Sequence, residues 1–361
     1  MTAGEKASGI EEASMAQIDV FFATNRNRLA DTDGVANFGD LALPDVKGIA
    51  FGTATISNVN VDDPGSGQIT KVQVMSFGDI SAELAAQILA SPERDIVIFI
   101  HGAANTFRDG LQRAAFNQNW VSQPPARGVV FIVFSWPATS YELWNVLADL
   151  TDYRRDQSEA RASGLRFVEF LRALYRFRAA IGRRRLTLLA HSMGNYVLGF
   201  GVERWFSVRH DAANPKLFED VILAAADEPS DSFAMPNGER LSDLWKLTQR
   251  TTVYSSREDV LIFASRIVNR DWRLGHDGPP NRADTRFFPT AEYVFVDCTE
   301  NEDYISASAH SLDRSHQYYR QSISVRADIA RVLKALPLPD GARVYNEKGN
   351  VNTLPTKVVG V

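Results

Sequence analysis

The sequence predicts a doubly wound, mostly parallel α/β sheet with antiparallel strands at its N-terminal edge. Three observations carry that expectation: apolar runs of strand length recur along the chain, helix-length segments lie between most of them, and a β-rich, glycine-punctuated stretch precedes Asp95. The 361 residues are 45% hydrophobic, 23% charged and 10% aromatic, which supplies a core and lacks the high-charge signature of disorder. Length alone allows two domains or one large α/β domain. The alternation of strands and helices along the chain favours one.

Residues 1–17, "MTAGEKASGIEEASMAQ", carry Glu5, Glu11 and Glu12 and no apolar core, so they read as a disordered leader and not as a secretory signal. The domain itself is expected over 18–337. Its strands are expected at "IDVFFATN" from Ile18, "DIVIFIHG" from Asp95, "VVFIVFSWP" from Val129, "LTLLAHS" from Leu186, "DVILAAAD" from Asp220, "TTVYSS" from Thr251 and "YVFVDCTE" from Tyr293. Runs apolar on both faces suit buried parallel strands. The segments "GIAFGTATISN" and "ITKVQVMSF", divided by the turn-rich "DDPGSG", read as antiparallel strands added at the sheet edge.

Helices are expected from Asp152 to Arg178, with Leu165, Val168, Leu171 and Leu174 at helical spacing, and from Met193 to about Val208. A last helix is expected from about Tyr318 to Leu336, with Ile329, Val332, Leu333 and Leu336 on one face. Prolines, glycines and absent periodicity make 338–361 an expected extended surface tail.

Composition excludes some roles. A net charge of −5 does not provide the clustered basic excess that nucleic acid requires, and Arg172 to Arg178 and Arg183 to Arg185 read as a solvated face at a helix end. No run approaches the ~18 apolar residues that cross a bilayer. The one cysteine, Cys298, has no intrachain partner, which is compatible with a reducing compartment. The expectation is a soluble, cytoplasmic protein. His, Asp and Glu do not cluster at metal-ligand spacings and no glycine-rich phosphate loop is present, so neither a metal nor an organic cofactor is expected.

The chemistry centres on "LLAHSMGN", Leu188 to Asn195. It approaches the Gly-x-Ser-x-Gly strand-to-helix elbow that presents a nucleophilic serine, with Ala190 in place of the first glycine. The position needs a small residue, and alanine adds only a methyl group. The alternative is that Ser192 merely caps the helix that follows. A serine nucleophile requires a base, a group that orients the base, and donors for the oxyanion. Among six histidines, His316 is favoured as base and His310 is second, because both follow the last strand and His316 lies where the final helix begins. Asp259, just past the strand "TTVYSS", is favoured as the orienting acid over Asp227 and Glu258. The backbone N–H groups of Ala103, in "FIHGAANTF", and of Met193 are the expected oxyanion donors.

Taken in order, "FFATNR", "FIHGAANTF", "FSWPA", "AHSMGN", "LAAADEPSDSF", "SSREDVLIFAS" and "SHQYYRQSISVRADI" resemble the bacterial α/β-hydrolase family catalogued as domain of unknown function 900, over most of Ile18 to Leu336. The resemblance implies an α/β-hydrolase fold with Ser192 as nucleophile, Asp259 as acid and His316 as base. The turn before the base departs from the pattern, reading Ser315, His316, Gln317, Tyr318 where Gly-His-Ser-Tyr is expected. The expected activity is hydrolysis of a small-molecule carboxylic ester. Amide or thioester cleavage by the same residues, and a non-catalytic binding protein on this fold, are the alternatives. Trp136, Tyr141, Trp144 and Leu147 are candidate walls of the substrate pocket, with core packing equally open for Trp136, and Trp272 and His276 are a candidate rim.

Overall fold

The computed structural model describes residues 16–32, 34–42, 48–90, 94–124, 128–140, 150–208, 215–234, 240–305 and 315–355. The predicted leader, through residue 15, and the segments holding Tyr141, Trp144, Leu147, His210 and His310 lie outside them.

The chain opens with β1 (Ala16–Thr24), then a short pair, β2 (Arg26–Arg28) and β3 (Phe38–Ala42), and the long hairpin strands β4 (Ala50–Val59) and β5 (Gln68–Phe77). β4 pairs antiparallel with both β1 and β5, which places the glycine-punctuated stretch at the sheet edge as the sequence predicts. After α1 (Ala82–Ile88) the alternation begins: β6 (Asp95–Ile100), α2 (Phe107–Val121), β7 (Val129–Ser135), α3 (Thr151–Arg178), β8 (Leu186–His191), α4 (Gly194–Val208), β9 (Phe218–Ala224) and β10 (Thr248–Ser255). α5 (Val260–Asn269), α6 (Leu274–Asp277), β11 (Tyr293–Asp297), α7 (Tyr318–Gln321), α8 (Ile323–Leu333), β12 (Val344–Asn346) and β13 (Val351–Thr353) complete the chain.

Among the described residues, eleven strands form one sheet in the order β12-β13-β11-β10-β9-β8-β6-β7-β1-β4-β5. From β1 to β11 every neighbouring pair in this order is parallel. Successive side chains of a strand face opposite ways. Ile96, Ile98 and Ile100 of β6 therefore enter one core with α3 and α4, and Val97 and Phe99 enter the other with α2 and α8. That is why the parallel strands read as apolar throughout.

Two differences from the sequence reading have local causes. The expected helix from Tyr318 to Leu336 is two pieces, because Ser322 is extended (φ −76°, ψ 127°) and its side chain caps α8 by accepting from the Val325 N–H. Beyond Leu336, where prolines and glycines suggest an extended tail, β12 and β13 pair with each other and β13 joins β11. Three-residue strands are too short to show periodicity, so only pairing reveals them.

Candidate active site

β8 runs parallel between β6 and β9 at the sheet centre and ends at His191. The chain then turns sharply at Ser192, whose φ of 53° lies in the left-handed region, and enters α4 at Gly194. A non-glycine residue there is strained and persists only when its surroundings fix it. Here they do: Ser192 N–H donates to Ala224 O (3.0 Å), and Ser192 O accepts from the backbone N–H of Asn195 (3.0 Å) and of Asp227 (3.2 Å). Asn195 adds its side-chain amide to Ser192 O at 3.0 Å. Gly194 permits the close approach, since a Cβ there would stand 2.6 Å from both Ile100 O and His101 O. Ser192 thus sits in an elbow, not at an ordinary capping position, and Ala190 is accommodated fully buried.

His316, immediately before α7, reaches this turn. Its Nε2 lies 2.9 Å from Ser192 Oγ, and its Nδ1 lies 2.9 and 3.0 Å from the two oxygens of Asp259. With the Nδ1 proton donated to the carboxylate, Nε2 is left to accept from the serine hydroxyl. Asp259 is fully buried at the start of α5 and also accepts from the Ile262 N–H (3.0 Å), so it both caps the helix and faces the imidazole. His191 packs behind His316. Its Nε2 donates to His316 O (3.2 Å), its ring packs 4.8 Å from that of His316, and burial pushes its pKa well below the ordinary imidazole value, which keeps it neutral.

The runner-up acid is elsewhere engaged. Asp227 accepts from Tyr153 Oη (2.8 Å) and Ser265 Oγ and lies 3.4 Å from buried Arg273. Glu258 is exposed.

Ala103 and Met193, the expected oxyanion donors, flank Ser192 from two turns. A Cβ on the neighbouring Gly102 would come within 2.8 Å of Ser192 Cβ, so the His-Gly turn lies directly against the serine. Among the described residues, neither the Ala103 nor the Met193 N–H donates to a protein acceptor. Amides without a protein acceptor in the two turns that meet at Ser192 are the kind of donor a developing oxyanion needs.

Trp136 belongs under that turn and does not form an open wall: it is fully buried, its ring stacks on His101, and its indole N–H donates to His101 O at 2.7 Å. Trp272 is exposed with the Arg266 guanidinium 3.2 Å over its ring, and His276 pairs with Asp277 at 2.7 Å; neither is linked to Ser192 among the described contacts.

Sequence reasoning passed over Asp156 and Arg26, which hold the turn that contains Ala103. Arg26 lies in "FFATNR" yet received no role; its fully buried guanidinium donates to Asn105 O (2.6 Å), Ala138 O (3.1 Å), Gly39 O (2.9 Å) and Ser135 Oγ (3.0 Å). Asp156 lies inside a long amphipathic helix with no local signal.

Among the described residues, no helix is long and apolar enough to cross a membrane, and no group of three His, Cys, Asp or Glu side chains is placed to hold a metal ion.

The model of a family described as "Alpha/beta hydrolase of unknown function (DUF900)" matches residues 78–330. No curated protein matches the chain. Among solved structures, the peroxisomal alpha-beta-hydrolase Lpx1 from Saccharomyces cerevisiae is similar at 10% identity with a TM-score of 0.32, over 91% of this chain and 92% of that one, a likeness too shallow to bear on function.

Proposed function

The chain belongs to this α/β-hydrolase family, and on that footing we propose that it hydrolyses carboxylic esters through an acyl-enzyme on Ser192. The observation that carries the proposal is the continuous relay in which one buried imidazole, His316, contacts Ser192 Oγ through Nε2 and Asp259 through Nδ1.

In the proposed reaction Ser192 Oγ attacks the acyl carbon as His316 Nε2 takes its proton. Asp259 holds the imidazole in the tautomer that can accept that proton and stabilises the imidazolium that forms. The N–H groups of Met193 and Ala103 receive the negative carbonyl oxygen. Collapse of the tetrahedral intermediate breaks the ester C–O bond, and His316 returns the proton to the leaving alcohol. Water then attacks the acyl-enzyme with His316 as base, releasing the acid and restoring the serine. No step calls for a metal or an organic cofactor.

A matched panel of carboxylic ester, thioester and amide substrates, run on the wild type and on Ser192→Ala, tests the reading. Ester turnover that exceeds amide and thioester turnover, and that is lost in Ser192→Ala, is expected. Faster amide cleavage would reassign the bond, and equal ester turnover in the two proteins would reject the nucleophile.

A further inference from the structure

We propose that Asp156 is a positioning residue for the oxyanion turn: its buried carboxylate on α3 holds the Ala104 N–H and thereby sets the backbone conformation of the turn that presents the Ala103 N–H. The inference rests on the ester-hydrolase reading above and adds a residue to it.

The geometry is specific. Ala104 has a φ of 55°, a conformation that costs an alanine free energy and that its neighbours must impose. The one side-chain acceptor on its N–H among the described residues is Asp156 Oδ2, at 3.0 Å. Oδ1 of the same carboxylate accepts from the backbone N–H (2.9 Å) and the hydroxyl (3.0 Å) of Thr139. Asp156 is fully buried, so three donors meet one ionised group away from water, where charge-assisted bonds are strong. The carboxylate therefore ties α3, the strand after which Thr139 follows, and the oxyanion turn into one unit.

Other bonds to the turn use its carbonyls, among them His101 Nδ1 donating to Gly102 O at 2.9 Å. Asn105 Nδ2 donates to Ala103 O (2.6 Å) and Gly102 O (3.0 Å), while Arg26 and Trp136 take Asn105 O and His101 O. These clamps fix the turn's acceptors. The bonds to Gly102 O hold the peptide that carries the Ala103 N–H, and Asp156 holds the following peptide by its N–H, opposite the Asn105 bond to Ala103 O.

Ionisation of Asp156 matters to this arrangement. Burial raises its carboxyl to about 6, against the Ala104 and Thr139 donors and the Arg26 charge, which favour the ionised form. The charged groups bearing on this corner are Arg26 of β2, with Asp40 of β3 and Asp109 of α2 acting on Arg26 in turn. His101, at the end of β6, is held well below its ordinary pKa by burial and stays neutral. The ionised carboxylate is the form that grips Ala104, so turnover falls as pH drops through the Asp156 titration.

Asp156→Asn keeps the side-chain size but loses the charge and turns one acceptor into a donor. Its kcat and KM on the best ester, its melting temperature, and its rate of Ser192 phosphonylation by a fluorophosphonate probe are compared with wild type. Phosphonylation reads the turn because the phosphonyl oxygen occupies the oxyanion position. Expected are kcat and labelling rate lower by about 10²-fold, with KM within about twofold and a melting temperature near that of wild type. An unchanged kcat and labelling rate in a wild type that itself labels overturns the inference alone. A wild type that neither labels nor turns over esters removes the hydrolase reading, and the inference falls with it.

Thr139→Val covers the case in which Asp156→Asn does not fold. It removes one donor to the ionised carboxylate and leaves the turn's own bonds in place. The ratio of variant to wild-type labelling rate then falls as pH drops through the Asp156 titration, a comparison in which protonation of His316 cancels; a ratio that does not change with pH overturns the inference.

Discussion

Two carboxylates compete for the orienting role at the scale of single residues, and their surroundings separate them. Asp259 faces His316 Nδ1 with both oxygens, whereas Asp227 is committed to Tyr153, Ser265 and Arg273. Asp259→Asn is expected to lower kcat by about 10³- to 10⁴-fold with little change in folding, because an amide there favours the wrong imidazole tautomer. Asp227→Asn is expected to retain most turnover and to lower the melting temperature, since buried Arg273 loses its counter-charge. Ester kinetics and thermal melts on both variants check this; a dead Asp227→Asn beside an active Asp259→Asn reverses the assignment. Asp259 could be read from sequence because it follows a recognisable strand by a short loop. Asp156 could not, because its partners Ala104 and Thr139 come from two other segments and its helix looks the same with or without them.

Individual elements show the same division. The central strands were legible because burial on both sheet faces leaves continuous apolar runs. The break between α7 and α8 was not, since Ser322 interrupts a pattern that remains apolar on one face. The β8–α4 elbow was legible from "AHSMG", and the structure adds what the glycine does: it allows α4 to start against the carbonyls that end β6. Gly194→Ala would press a methyl into two backbone oxygens at 2.6 Å, atoms that move only with their strand. The expected cost is about 1–3 kcal/mol of stability with a displaced Ser192, measured by denaturant unfolding and by ester turnover. A variant with wild-type stability and turnover would show that the elbow has slack.

Across the whole molecule, the sheet brings loops from distant parts of the sequence to the strand ends around Ser192. Its far edge is closed by residues that sequence alone left as tail. Arg343, just before β12, donates to both oxygens of Asp328 on α8 (2.7 and 2.9 Å), and Asp328 also accepts from buried Tyr254 Oη (2.6 Å). Removing the guanidinium leaves a nearly buried carboxylate without its cation, so Arg343→Ala is expected to cost about 3 kcal/mol while sparing the Ser192 relay. Thermal unfolding and ester kinetics together test that separation. The claim on which the functional account depends is that Ser192 is a nucleophile activated by His316. Treatment of wild type and Ser192→Ala with a fluorophosphonate, followed by peptide mass spectrometry, tests it most directly. One covalent adduct is expected on the peptide containing Ser192 and none in the variant; an unmodified Ser192 in folded wild-type protein would contradict the nucleophile assignment.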